Sequence, residues 1–172
     1  MANIFVTGVG IISAIGCNIK ETLDSIFLSK SGLSKISILE TNHNDFFVGE
    51  IKYTNQQLEK KIYNSAKNYS RTTLLGMIAA AKAVENANIK NINNIKTGLI
   101  SATTVGGMDK TETFYNTFKD LKFYDFILAH HCGDSTEKIA DFIGIKNFTS
   151  TLSTACSSST NSIILLHLIQ IR

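Results

Sequence analysis

Ser153-Thr154-Ala155-Cys156-Ser157-Ser158-Ser159 lies between a run of β-formers, residues 148–153, and the apolar stretch Ile163-Ile164-Leu165-Leu166-His167-Leu168-Ile169. This spacing predicts a strand over 148–153, a turn of small residues, and a helix over 156–170. A cysteine in the first turn of a helix meets N–H groups with no intrahelical acceptor and the positive end of the helix dipole, and both favour thiolate, the nucleophilic form. Small neighbours let a substrate carbonyl approach the backbone, where the Cys156 N–H can donate to a developing oxyanion. The competing reading is a structural cysteine of the core. The local residues alone leave the two level.

Working outward, residues 4–8 (Ile-Phe-Val-Thr-Gly) read as a buried strand closed by glycine. Asn18 is placed to cap a helix over 18–28, with Ile19, Leu23, Ile26 and Phe27 as its apolar face. Residues 33–55 read as irregular, with 46–48 as an edge strand. The clearest helix is 72–87, where Leu75, Ile78, Ala79 and Ala83 recur in helical rhythm and small residues permit close packing. Residues 91–96 form a polar link, and 97–103 form a strand closing on Gly106-Gly107. Helices follow over 109–118 and 136–142, the second ended by Gly144. Strand and helix alternate, which makes this an α/β protein with a parallel or mixed sheet. The last helix is apolar on nearly every face, the mark of an element buried on all sides. Its cover is expected from chain beyond Arg172 or from another subunit.

Composition narrows the function. With 172 residues, 44% hydrophobic and 18% charged, the chain is one domain's length of ordinary globular sequence. The net charge of +3 is scattered without basic–aromatic clusters, which argues against nucleic-acid binding. Three cysteines without C-x-x-C spacing argue against a disulfide framework and a zinc site, and fit a cytoplasmic protein. The N-terminus lacks the basic region of a signal peptide, and no apolar run has the length of a membrane span.

Other constellations carry less. Gly8-Val9-Gly10 lacks the third glycine and the acidic residue of a dinucleotide fingerprint, so a tight turn is expected there. His130-His131-Cys132 has the wrong spacing for one metal ion, because adjacent side chains diverge, and no metal is expected. His43 and His167 have no partner pattern.

Four stretches, in order, resemble the β-ketoacyl-acyl-carrier-protein synthases, the condensing enzymes of the thiolase-like fold. They are Phe5-Val6-Thr7-Gly8-Val9-Gly10, Ser70-Arg71-Thr72-Thr73 with its alanine-rich helix, Ser101-Ala102-Thr103-Thr104-Val105-Gly106-Gly107, and the nucleophile motif Ser153-Thr154-Ala155-Cys156-Ser157-Ser158. The nucleophile falls late for a thiolase or an acetyl-CoA-primed synthase, so the elongating type fits. The departure is Thr103-Thr104, where these enzymes often carry a glycine-bearing pair, and it bears on pocket shape.

The resemblance implies a layered α/β fold with a mixed central sheet, incomplete at the C-terminal end, with residues 1–172 as the N-terminal part of one synthase domain. It implies that Cys156 takes an acyl group from a carrier-protein thioester. A malonyl-thioester then loses CO2 and attacks that group, in fatty-acid or polyketide and polyene synthesis. Val105, Gly106 and Gly107 are expected at the acyl pocket. No cofactor is implied. The implied partners are acyl-carrier protein with acyl and malonyl thioesters, and a second subunit in a homodimer or heterodimer, with no nucleic acid and no membrane. The family's two histidines, lysine and gating aromatic follow the nucleophile helix, and none of His43, His130, His131 or His167 matches them. The 172-residue chain by itself is therefore expected to be inactive. Two alternatives are a non-catalytic partner of chain-length-factor type, which usually lacks the cysteine, and a thiol hydrolase using His130 or His131 as base.

Overall fold

The Asn18 side chain accepts the Glu21 N–H at 2.9 Å while the Glu21 carboxylate accepts the Cys17 N–H at 2.7 Å, and this reciprocal cap starts helix α1, Ile19–Phe27. The computed structural model describes residues 3–62, 69–117 and 124–170. They divide into two units, one drawn from residues 7–67 and 78–89 and the other from residues 1–6, 68–77 and 90–172.

In the first unit, α1 is followed by a short antiparallel pair, β1 (Ser34–Lys35) and β2 (Phe47–Val48). The edge strand expected at 46–48 is thus present. Next to it, the buried Glu50 carboxylate accepts the N–H groups of Ser37 (3.0 Å), Ile38 (2.8 Å) and Leu39 (2.8 Å) and pairs with Lys52. Burial alone would raise the Glu50 pKa. Lys52 and the three backbone donors outweigh it and hold the carboxyl far below the usual carboxylate range. Helix α2, Asn55–Lys61, begins with a capping box between Thr54 and Gln57 and buries Leu58 completely. The later part of helix α3, Arg71–Asn86, closes the unit. Gly8 and Gly10 lie directly against it: a Cβ on Gly10 would stand 1.9 Å from the Ala79 oxygen, and one on Gly8 2.4 Å from the Ala83 oxygen. The tight turn read at these glycines is therefore a close backbone approach.

The strand expected over 4–8 does not form. Phe5 and Val6 are 76% and 85% exposed, and among the described residues no ladder partner pairs with them. A β-branched run becomes a strand only when a neighbour supplies the other half of the hydrogen bonds.

The second unit contains the start of α3, whose first N–H groups are met by Ser70, which accepts from Thr73, and by Asp109, which accepts from Arg71 at 2.9 Å. Leu74 and Met77 are wholly buried, each such side chain contributing about 1.5–3 kcal/mol. Strand β3, Gly98–Ala102, pairs in parallel with β4, Phe148–Leu152, from Gly98 opposite Phe148 to Ala102 opposite Leu152. Helices α4 (Met108–Phe114), α5 (Tyr124–Leu128) and α6 (Cys132–Ile143) lie between them in sequence. The crossover is what a parallel pair requires. The helix expected over 109–118 ends as α4 at Phe114 and tightens into a 3₁₀ turn at Tyr115–Thr117, and residue 118 lies outside the described residues.

Helix α6 starts at Cys132, ahead of the expected 136, because the His131 ring accepts the Gly133 N–H at 3.1 Å and caps it. It stops at Gly144, whose φ of 86° suits glycine. Thr151 of β4 donates to Thr136 of α6 at 2.6 Å. Helix α7, Ser158–Gln170, lies against β3 and β4. Ile163, Ile164, Leu166, Leu168 and Ile169 on it are exposed, Ile163 at 68%.

Candidate active site

Because β3 and β4 are parallel and in register, their C-terminal ends emerge side by side, and Thr103 extends the ladder by donating to the Leu152 oxygen at 3.2 Å. Open parallel sheets bind ligands at this edge. Two features meet there: the turn that carries Cys156, and a cleft.

The turn is a 3₁₀ segment, Ala155–Ser157, placed before α7. Cys156 thus precedes the α-helix by one tight turn and is not its first residue, and its side chain is exposed. The reason is Ala155, which has φ of 52°, a left-handed conformation costing an L-residue about 1–2 kcal/mol. Three donors converge on the Ala155 carbonyl: the Ser158 N–H, the Ser158 hydroxyl at 2.7 Å and the Thr104 hydroxyl at 3.1 Å. Ser158 is 3% exposed and its oxygen also accepts the Thr154 N–H at 2.8 Å. Ser157 donates to the Thr154 oxygen at 2.7 Å, and Asn161 donates to the Thr154 hydroxyl at 2.9 Å. The result is a sharp strand-to-helix turn, held by hydroxyl side chains, with a thiol at its apex. Such a turn holds its side chain out where a bulky reactant can reach it.

The cleft, about 550 Å³, is lined by Thr104, Val105, Met108, His130, Cys132 and Ser153, among others. It abuts the turn that carries Cys156 through Thr104 and Ser153. Val105 is half exposed on its wall. Gly106 and Gly107 are buried behind it: Gly106 has φ of 54°, and a Cβ there would stand 2.6 Å from the His130 oxygen, while one on Gly107 would stand 2.4 Å from the Ala129 oxygen. The Gly107 N–H donates to that Ala129 oxygen at 2.7 Å. The pair therefore lets the connection from α5 to α6 press against the end of β3. The Cys132 sulfur lies 3.5 Å from the Ser153 hydroxyl and 4.0 Å from the Thr104 oxygen.

The two histidines are engaged elsewhere. His130 Nδ1 shares a 3.1 Å hydrogen bond with Thr111, and His131 Nδ1 accepts its helix-capping bond. No hydrogen bond from either ring to Cys156 occurs among the described residues, so the hydrolase pairing has no geometric support. Sequence reasoning missed Ser158, Thr104 and Asn161 as builders of the turn. A Thr-x-x-x-Ser spacing around the cysteine was the available signal, since Ser and Thr hydroxyls bond nearby backbone.

What the fold and the turn define is an exposed thiol at the C-terminal edge of a parallel strand pair. The family model described as the N-terminal domain of β-ketoacyl synthases matches residues 1–172, and the chain belongs to that family. The 3-oxoacyl-[acyl-carrier-protein] synthase 2 of Staphylococcus aureus strain N315 is 27% identical over 169 residues, covering 93% of this chain and 40% of that protein. Synthase 1 of Haemophilus influenzae is 29% identical over 110 residues, 62% of this chain and 26% of that one. The chain thus spans about 40% of the length of the Staphylococcus relative.

Among solved structures, the ishigamide ketosynthase/chain length factor matches with a TM-score of 0.70 at 21% identity, over 88% of this chain and 40% of that chain. A type II polyketide acyl-carrier protein in complex with its ketosynthase bound to the hexaketide matches with 0.60 at 17% identity, over 93% and 45%. The fold is the thiolase-like α/β fold of the ketosynthases. Among the described residues no helix is long and apolar enough to cross a membrane.

Proposed function

We propose that the protein is a β-ketoacyl-acyl-carrier-protein synthase of the elongating type, in which residues 1–172 form the N-terminal part of the synthase domain and Cys156 is the acyl acceptor. The observation that carries this is the exposed thiol at the apex of the turn built on Ala155. In the first half-reaction the Cys156 sulfur attacks the thioester carbonyl, a carbon–sulfur bond forms, and the carrier thiol leaves. In the second, a malonyl thioester loses CO2, its carbanion attacks the acyl-enzyme carbonyl, and the Cys156 sulfur leaves as the carbon–carbon bond closes. Residues outside this stretch are read as serving the decarboxylation, since among the described residues no histidine hydrogen-bonds to the thiol.

Val105 is read as a wall of the acyl site, with Gly106-Gly107 holding it in place. The partners are acyl-carrier protein carrying acyl and malonyl thioesters and a second subunit, homodimeric or heterodimeric, acting in the cytoplasm in fatty-acid or polyketide synthesis. Incubating the complete protein with acyl-carrier-protein thioesters and weighing it by mass spectrometry tests the reading. The expected result is a one-acyl adduct that maps to Cys156 and is absent from Cys156→Ala. An adduct that survives the substitution overturns it.

A further inference from the structure

Beside the nucleophile turn, the wall of the cleft is rich in groups that hydrogen-bond: the hydroxyls of Thr104 and Ser153, the thiol of Cys132 and the ring of His130, against the apolar Val105 and Met108. The two lining residues that adjoin the turn are polar, Thr104 through its hydrogen bond to the Ala155 carbonyl and Ser153 through the chain, so hydroxyl oxygen is met at the end of the cleft nearest the turn. The Cys132 S–H donates toward Ser153 at 3.5 Å. That contact occupies a lone pair of the Ser153 oxygen and leaves its proton available to a ligand.

Resting on the reading of Cys156 as acyl acceptor, we infer that this cleft selects an acyl group bearing an oxygen near the thioester, a 3-oxo or 3-hydroxy chain, over a saturated chain of equal length. A hydrocarbon laid along this wall would strip water from Ser153, Cys132 and His130 and give nothing back. An oxygenated chain replaces those hydrogen bonds. Sites built to pair with a substrate oxygen reject the analogue that lacks it.

The test compares acylation rates of Cys156 in the complete protein with the N-acetylcysteamine thioesters of 3-oxohexanoate, 3-hydroxyhexanoate and hexanoate, followed by mass spectrometry. An oxygenated chain is expected to load about tenfold faster than hexanoyl. Ser153→Ala and Cys132→Val should each bring that ratio toward one. Because the ratio is taken within one protein, a partial loss of folded material cancels. Equal or faster loading of hexanoyl overturns the inference, as does a ratio that both variants leave unchanged, and in either case Cys156 stands as the acyl acceptor. If no thioester labels Cys156, the nucleophile reading falls and takes the inference with it.

Discussion

Ser158 contributes more to the site than its place beside the cysteine suggests, because one hydroxyl takes the Thr154 N–H and gives to the Ala155 carbonyl. Removing it leaves the part-buried Thr154 N–H without its acceptor and frees Ala155 to leave its left-handed conformation. Ser158→Ala is expected to cost about 1–2 kcal/mol in urea unfolding of the complete protein, and to slow alkylation of Cys156 by a thioester-sized probe more than by iodoacetamide. A second prediction concerns Glu50. Its pKa is lowered on folding from an ordinary value of 4.5, so its stabilisation is present above about pH 4.5 and is lost as the pH falls through the lower folded value. Melting between pH 7 and pH 3 should show wild type losing stability below pH 4.5, with Glu50→Gln flatter there and about 1–3 kcal/mol less stable at pH 7. At this scale the place of Cys156 between a strand and a helix was legible from its motif. The left-handed Ala155 was not, since alanine has no such preference and its hydroxyl-bearing neighbours impose the conformation.

Among elements, the close approach of Gly10 to α3 is the least forgiving contact. A methyl there meets the Ala79 backbone oxygen, which cannot move without breaking the helix, whereas one on Gly76 meets only the end of the Ile139 side chain. Gly10→Ala should therefore cost a few kcal/mol in thermal unfolding, and Gly76→Ala distinctly less. Equal losses would show that the two helix contacts are similarly compliant. Helices with strong periodicity or caps were readable: α1 begins where Asn18 announced it, and α3 runs within one residue of the expected bounds. Helix α2 was passed over although Thr54-x-x-Gln57 spells its capping box. The strand expected at residues 4–8 failed for a different reason. Pairing is a property of two segments, and one segment's composition cannot supply the other.

For the whole molecule, the apolar surface of α7 dominates behaviour in solution. Ile163, Ile164, Leu168 and their neighbours form an exposed greasy face on a helix whose sequence marked it for burial on all sides. The 172-residue chain is expected to self-associate, with light scattering that rises with concentration and binding of a hydrophobic dye. A monodisperse monomer at high concentration would contradict this. What the sequence could not say is which faces meet, because that depends on atoms far apart along the chain. The β3–β4 pair illustrates the same point in time as well as space. Gly98 faces Phe148, Ala102 faces Leu152, and Thr104 reaches Ala155 across 51 positions. Contacts of such long sequence separation form late in folding. During synthesis β3 must therefore wait for all of α4, α5 and α6 to leave the ribosome before its partner exists. The thiol acquires its apex geometry only at that last docking, so a chain still being made carries Cys156 without the turn that displays it.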